Sequence, residues 1–214
     1  MPLILTEKFP SFGKLHLWSL TEEKEDLLEQ LRDANLDTNH IHNWHPQRQV
    51  EWLAGRNLIA QCLEPNLSKL KAQESGKLYL TSSDIHLSLS HSEQLVGLQF
   101  HNVPVGVDIQ IKTPTIQKVA PKFCSSEDYE VLLQHYSKEK ANHICWSMKE
   151  AVYKAFGEGK VNYKEQIRFS AFANEDALKP ILIFKRKDGR ILHYNGKLRW
   201  LGPFLIGQVV LDQS

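Results

Sequence analysis

Between residues 141 and 160 the chain reads ANHICWSMKEAVYKAFGEGK, and its apolar and polar positions recur with the period of a helix. Ile144, Met148, Val152 and Ala155 form one apolar stripe, while Trp146, Glu150 and Lys154 recur every fourth residue on the opposite side. Ala, Met, Lys and Glu favour helix, and Gly157 and Gly159 end it. An indole on the polar side predicts that something packs or binds over that face. Upstream, residues 14–20 alternate as a strand, and Thr21 before Glu22 and Glu23 starts a helix through Leu27, Leu28 and Leu31. A second helix spans residues 47–63 and places Arg48, Trp52 and Arg56 on one stripe. Ser75, Gly76 and Lys77 mark a loop. Residues 85–100 then alternate as a hairpin with Ser90, His91 and Ser92 at or near its turn.

Val103, Val105, Val107, Ile109 and Ile111 make a period-two apolar face, which puts Gly106, Asp108 and Gln110 together on the other side. A carboxylate in a buried strand needs a partner or a metal, so Asp108 is a candidate for a specific role. Residues 112–122 read as a basic, proline-marked linker, and Ser125 with Asp128 caps a short helix through Leu132 and Leu133. After the central helix, strands are expected over residues 167–172, 181–184, 190–194 and 198–211, with a hairpin turn at Lys187, Asp188 and Gly189. The order strand, helices, hairpin thus occurs twice. Two α+β halves are expected, residues 1–105 and 106–214.

Composition narrows the partners more than the fold. Of 214 residues, 26 are Lys or Arg and 25 Asp or Glu, so the net charge of +1 gives no global pull toward nucleic acid or an anionic membrane. Any anion site must be local. Two guanidiniums flanking the indole of Trp52 suit a phosphate and a flat ring, and the hydroxyls and imidazole of Ser90, His91 and Ser92 at a strand end suit phosphate oxygens. Three widely spaced cysteines without a C-x-x-C fit reduced packing thiols, and no stretch has membrane-spanning length. A cytoplasmic protein is expected. His40, His42 and His45 lack a neighbouring acid or thiol pattern and read as a turn beside Asn43 and Pro46. Gly157 to Lys160 fails the phosphate-loop template because Val161 stands where Ser or Thr is needed.

Taken in order, Glu51-Trp52-Leu53-Ala54-Gly55-Arg56, Ser90-His91-Ser92, Gly106-Val107-Asp108, Phe123-x-x-x-Glu127 and Trp146-Ser147-x-Lys149-Glu150-Ala151-x-x-Lys154-x-x-Gly157-x-Gly159 resemble the 4′-phosphopantetheinyl transferases of the surfactin-synthetase-activating (Sfp) type. The resemblance spans most of residues 48–160. It implies a fold of two pseudosymmetric α+β halves, the second carrying a metal site, in a monomer. It also implies an enzyme of the holo-[acyl-carrier-protein] synthase kind. Such an enzyme moves the 4′-phosphopantetheine arm of coenzyme A to a serine of an apo acyl or peptidyl carrier protein and releases adenosine 3′,5′-bisphosphate. By the same resemblance, Asp108 and Glu150 are ligands for Mg²⁺ (or Mn²⁺) and Lys154 neutralises phosphate. Glu150 is also the base for the attacking serine, and Arg48, Arg56, Lys77, Ser90 and His91 hold the coenzyme's phosphates. Gln110 stands where many members carry a second acid, which leaves its part in the ligand set open.

A non-catalytic module that binds coenzyme A or a carrier protein is the competing expectation, favoured by Gln110 and opposed by Asp108, Glu150 and Lys154. Lys112, Lys118 and Lys122 around Phe123 are the expected docking surface for an acidic carrier helix.

Overall fold

The structure, a computed structural model, describes residues 3–213. Contacts divide the chain into two units, residues 1–102 and 103–214, each of them α+β. The first contains β1 (Leu3–Phe9), β2 (Gly13–Ser19), α1 (Lys24–Gln30), α2 (Pro46–Cys62), β3 (Leu70–Ala72), β4 (Leu78–Leu80), β5 (His86–Ser92) and β6 (Leu95–His101). Its strands pair in the order β1-β2-β6-β5-β4-β3, every neighbouring pair antiparallel. Pro46 enters the first turn of α2, where its missing N–H has no intrahelical partner to lose. Leu53, Ala54, Leu58 and Ile59 of that helix are buried with Trp18, Leu87, Val96 and Leu98 of the sheet.

The second unit contains β7 (Val105–Ile111), α3 (Ile116–Val119), α4 (Ser126–Leu132), α5 (Lys138–Phe156), α6 (Tyr163–Gln166), β8 (Ile167–Phe172), β9 (Pro180–Lys185), β10 (Ile191–Leu201) and β11 (Phe204–Leu211). The sheet runs β7-β11-β10-β9-β8, again antiparallel. The Ser137 hydroxyl accepts from Lys140 N at the start of α5, and Gly157 in the left-handed region (φ 72°) ends it. Ile144, Met148, Val152 and Ala155 lie in the core as their spacing predicts. The helix sits on β7 at backbone contact: a Cβ on Gly106 would lie 1.8 Å from the carbonyl oxygen of Ala151. Only glycine fits there, and the close approach brings Asp108, two residues along the same strand face, up to α5.

Several expectations are corrected. β10 runs without a break through residues 191–201, and Gly202 and Pro203 turn the chain into β11, so residues 198–211 are a hairpin rather than one strand. The hairpin over residues 85–100 is as expected: Ser90, His91 and Ser92, paired with Gly97, Val96 and Leu95, lie next to the turn at Glu93 and Gln94. Residues 112–122 hold α3 and a 3₁₀ turn instead of an open linker. The first helix starts at Lys24, where Asp26 accepts from Glu23 N, one turn short of a start at Thr21.

One interaction inside the second unit was not anticipated. Lys149 and Asp128 are both 0% exposed and paired at 2.5 Å. Lys149 Nζ also donates to the carbonyls of Phe123 (2.9 Å) and Tyr163 (3.0 Å), which uses all three of its protons. Asp128 Oδ2 accepts from Ser125 N (2.8 Å) as the other half of a capping box, and Oδ1 accepts from Phe169 N (2.9 Å). A buried ion pair is tolerable only when satisfied in this way. Lys149→Met, which strands the Asp128 charge, is expected to lower unfolding free energy in urea by about 3–5 kcal/mol, and Lys149→Met with Asp128→Leu to recover a clear part of the loss. A double variant no more stable than the single one would mean that the backbone hydrogen bonds, not the stranded charge, set the cost.

Candidate active site

Two residues after the close packing at Gly106, Asp108 is nearly buried and accepts from Lys154 Nζ at 2.9 Å. Glu150 lies one turn before Lys154 on α5. Burial first, and then the charge of Asp108, raise its pKa above the usual carboxylate range, against the opposing pull of Tyr163 and Lys154. Tyr163 lies beside Glu150, and its own pKa is raised by burial and by that carboxylate. The Tyr163 ring stacks on Trp146 at 5.6 Å, and Trp146 packs against Phe123 at 4.9 Å. This accounts for the indole on the polar side of the helix. Gln110 follows on the same strand face, and its Oε1 is buried with no hydrogen-bond partner among the described residues. Two carboxylates and an orphaned amide oxygen form a hard donor set suited to Mg²⁺ or Mn²⁺ rather than a soft metal. Gln110, Val119, Lys122, Phe123, Trp146 and Tyr163 also line an open groove of about 590 Å³.

The first unit gathers the other group of candidates. Arg56 lies over the Trp52 ring at 4.2 Å, and Arg48 over Trp44 at 4.4 Å, so the two guanidiniums take separate indoles instead of flanking one. His40 packs at near right angles to both tryptophan rings. Desolvation lowers the pKa of Arg56 to about 10, and among the described residues no carboxylate pairs with it. α2 docks on β5 where Gly55 meets Leu89, and Glu51 pairs with His91 (3.4 Å). This places Ser90 and His91 beside α2. The antiparallel pairing of Tyr79 with His86 carries Lys77 back along β5 toward Ser88 and Ser90.

The sequence profile of the 4′-phosphopantetheinyl transferase superfamily matches residues 104–205, which is to say β7 through the start of β11 with Asp108, Glu150 and Lys154 inside it. Through this segment, just under half of its length, the chain is similar to the 4′-phosphopantetheinyl transferase superfamily. Among the superfamily's characterised members, the 4′-phosphopantetheinyl transferase ffp of Bacillus subtilis is 29% identical over 65% of this chain and 66% of its own length. The 4′-phosphopantetheinyl transferase Sfp of Bacillus subtilis strain 168 is 33% identical over 49% of each chain. HetI of Nostoc sp. strain PCC 7120 is 27% identical over 71% of this chain and 72% of its own. The chain thus spans between about half and about two thirds of the first two relatives.

Three features of this site were missed or misplaced in the sequence. Tyr163 reaches Glu150 from beyond the Gly157 loop, a contact no helical period marks. Trp44 precedes the helix but continues the fourfold spacing of Arg48, Trp52 and Arg56, a signal that was available. Phe123 is 3% exposed and packs into the core, so it cannot be the protruding apolar anchor of a docking surface. Lys112 is engaged by Glu139 at 2.8 Å, whereas Lys118 and Lys122 are exposed.

The raised pKa of Glu150 has a stability consequence. The folded chain keeps a proton that the unfolded chain releases, so stability falls as pH climbs from the ordinary carboxylate range through the raised value and stays lowered above it. In the presence of a chelator, Glu150→Gln is expected to melt above the unsubstituted protein at neutral pH, with the gap closing below about pH 4. A gap that persists unchanged at low pH would place the effect outside ionisation.

Proposed function

We propose that the protein transfers the 4′-phosphopantetheine arm of coenzyme A to a serine hydroxyl of an apo acyl or peptidyl carrier protein, releasing adenosine 3′,5′-bisphosphate. The observation that carries the reading is the convergence of Asp108, Lys154 and a Glu150 carboxyl held above its usual range, within the segment matched by the superfamily profile. Asp108 and Glu150, with the amide oxygen of Gln110, would hold Mg²⁺. When bound, the cation supplies neutralisation of the charge that develops on the pyrophosphate as its bridging bond breaks.

The chain's own groups do the rest. Lys154 brings an ammonium to the carboxylate of Asp108 and from there offers charge-assisted hydrogen bonds to phosphate oxygens. Glu150 takes the serine proton; a carboxyl above the ordinary range is a stronger base than a solvated one, and Tyr163 lies beside it. Arg56, a desolvated guanidinium on an aromatic face with no carboxylate of its own among the described residues, supplies an anion site for the coenzyme's phosphates. Arg48, Lys77, Ser90 and His91 add donors around it. Lys122 at the groove and Lys118 beside it suit the acidic face of a carrier.

Incubating the protein with coenzyme A, Mg²⁺ and a panel of apo carrier proteins, and reading intact masses, is expected to show one phosphopantetheine added to at least one carrier. Asp108→Ala and Glu150→Ala should each lower the rate by a factor of about 10² or more while the circular dichroism stays native. Coenzyme A binding without any mass gain across the panel would favour the non-catalytic module.

The anion site makes a separate prediction. Arg56→Ala and His91→Ala are each expected to weaken coenzyme A more than its 3′-dephospho form in calorimetric titration, by about tenfold for the loss of one charge-assisted contact. An equal loss for both ligands would place the 3′-phosphate elsewhere.

A further inference from the structure

A buried cluster of the second unit takes no part in the proposed transfer. Cys124, Asp128 of α4 and Cys145 of α5 bring two sulfurs and a carboxylate oxygen within 4.8 Å of one another, and both thiols are free. This is not a cation site: the Lys149 ammonium, Ser125 N and Phe169 N already take the oxygens of Asp128. What remains is a pair of sulfurs within reach. They are not equivalent. The S–H of Cys145 donates to Asp128 Oδ2 at 4.0 Å. The neighbouring Cys145, ahead of opposing burial, lowers the pKa of Cys124, while burial drives that of Cys145 well up. Cys124 lines a cavity of about 510 Å³ with Tyr129, Lys138, Asn142 and Lys164, and Cys145 does not. One sulfur is therefore a reachable nucleophile, and the other lies behind it.

We propose that Cys124 and Cys145 are a peroxide-sensitive dithiol that closes to an intramolecular disulfide. The Cys124 thiolate attacks one oxygen of hydrogen peroxide; the S–O bond forms as the O–O bond breaks and hydroxide leaves. The sulfur of Cys145 then attacks that of Cys124; the S–S bond forms, the S–O bond breaks, and the oxygen departs as water with the proton of Cys145. Hydroxide takes up the proton Cys124 had released, so two thiols are oxidised while one peroxide is reduced to two waters. Closure needs the sulfurs, now within 4.8 Å, to come within about 2 Å. It would fasten the segment before α4, whose Phe123 carbonyl accepts from Lys149, directly to α5. The inference does not depend on the proposed activity.

The test is a peroxide titration of the full chain carrying Cys62→Ser, which removes the half-buried thiol of the first unit. After quenching, alkylation under denaturing conditions and peptide mapping, the expected result is a loss of two hydrogens. Alkylation at Cys124 and Cys145 should vanish together, a cross-linked peptide should appear, and dithiothreitol should reverse the change. Cys145→Ala should stop Cys124 at the sulfenic acid, read as a dimedone adduct, and Cys124→Ala should abolish both products. Oxygen adducts on Cys124 with no loss of hydrogens in the intact pair would overturn the proposal. Two thiols that alkylate fully after peroxide would overturn it as well.

Discussion

The ammonium of Lys149 is the point on which the second unit depends. Its three protons go to Asp128, to the Phe123 carbonyl and to the Tyr163 carbonyl, so one side chain holds α4, the segment before it and the start of α6 against α5. Each of those groups then does something further. Asp128 caps its own helix and receives the first strand residues after α6 through Phe169; Phe123 backs Trp146; Tyr163 covers Trp146 and reaches Glu150. Lys149 and Glu150 are neighbours in sequence with opposite tasks, because a helix turns successive side chains by about 100°. One is sealed in the core so that the other is held in a fixed polar setting.

Against that frame, the candidate active site owes its geometry to the absence of a side chain. Gly106 lets α5 rest on β7 at backbone contact, and the register of β7 with β11 sets Asp108 opposite Gly207. Asp108 thus meets Lys154 without either having to reach far, and Glu150 is left with its charge opposed by burial and by a second carboxylate. Two acids close together beside one ammonium and an orphaned amide oxygen favour added positive charge.

Much of this was legible in the sequence, and for physical reasons. The fourfold recurrence of Trp146, Glu150 and Lys154 and the period-two run from Val103 to Ile111 are one-dimensional shadows of a helix face and a strand face. Short-range geometry fixes them. The partner of Lys149 was not legible, because Asp128 lies 21 positions upstream and its capping role with Ser125 already accounted for it. Tyr163 was hidden for the same reason: its contact with Glu150 is made by the fold of a loop, not by a repeat. The error at Leu198 shows the limit of apolar alternation, which continues through a tight turn when Gly202 and Pro203 are flanked by strand formers. The misplacement of Phe123 came from reading a basic stretch as a linker, when Ile116, Ala120 and Phe123 anchor it to the core.

Arg56 lends the first unit an asymmetry between folding and binding. Its guanidinium is desolvated on Trp52 when the chain folds, with no carboxylate among the described residues to offset the loss of water. That cost is charged to the folded state alone, so an anion arriving there meets a cation already stripped and oriented, and gains attraction without the usual dehydration of its partner. If Arg56 holds an anion as proposed, occupancy of the site and resistance to unfolding become linked quantities. Pre-organisation of this kind is invisible to a count of contacts, since its signature is an interaction withheld until the ligand provides it.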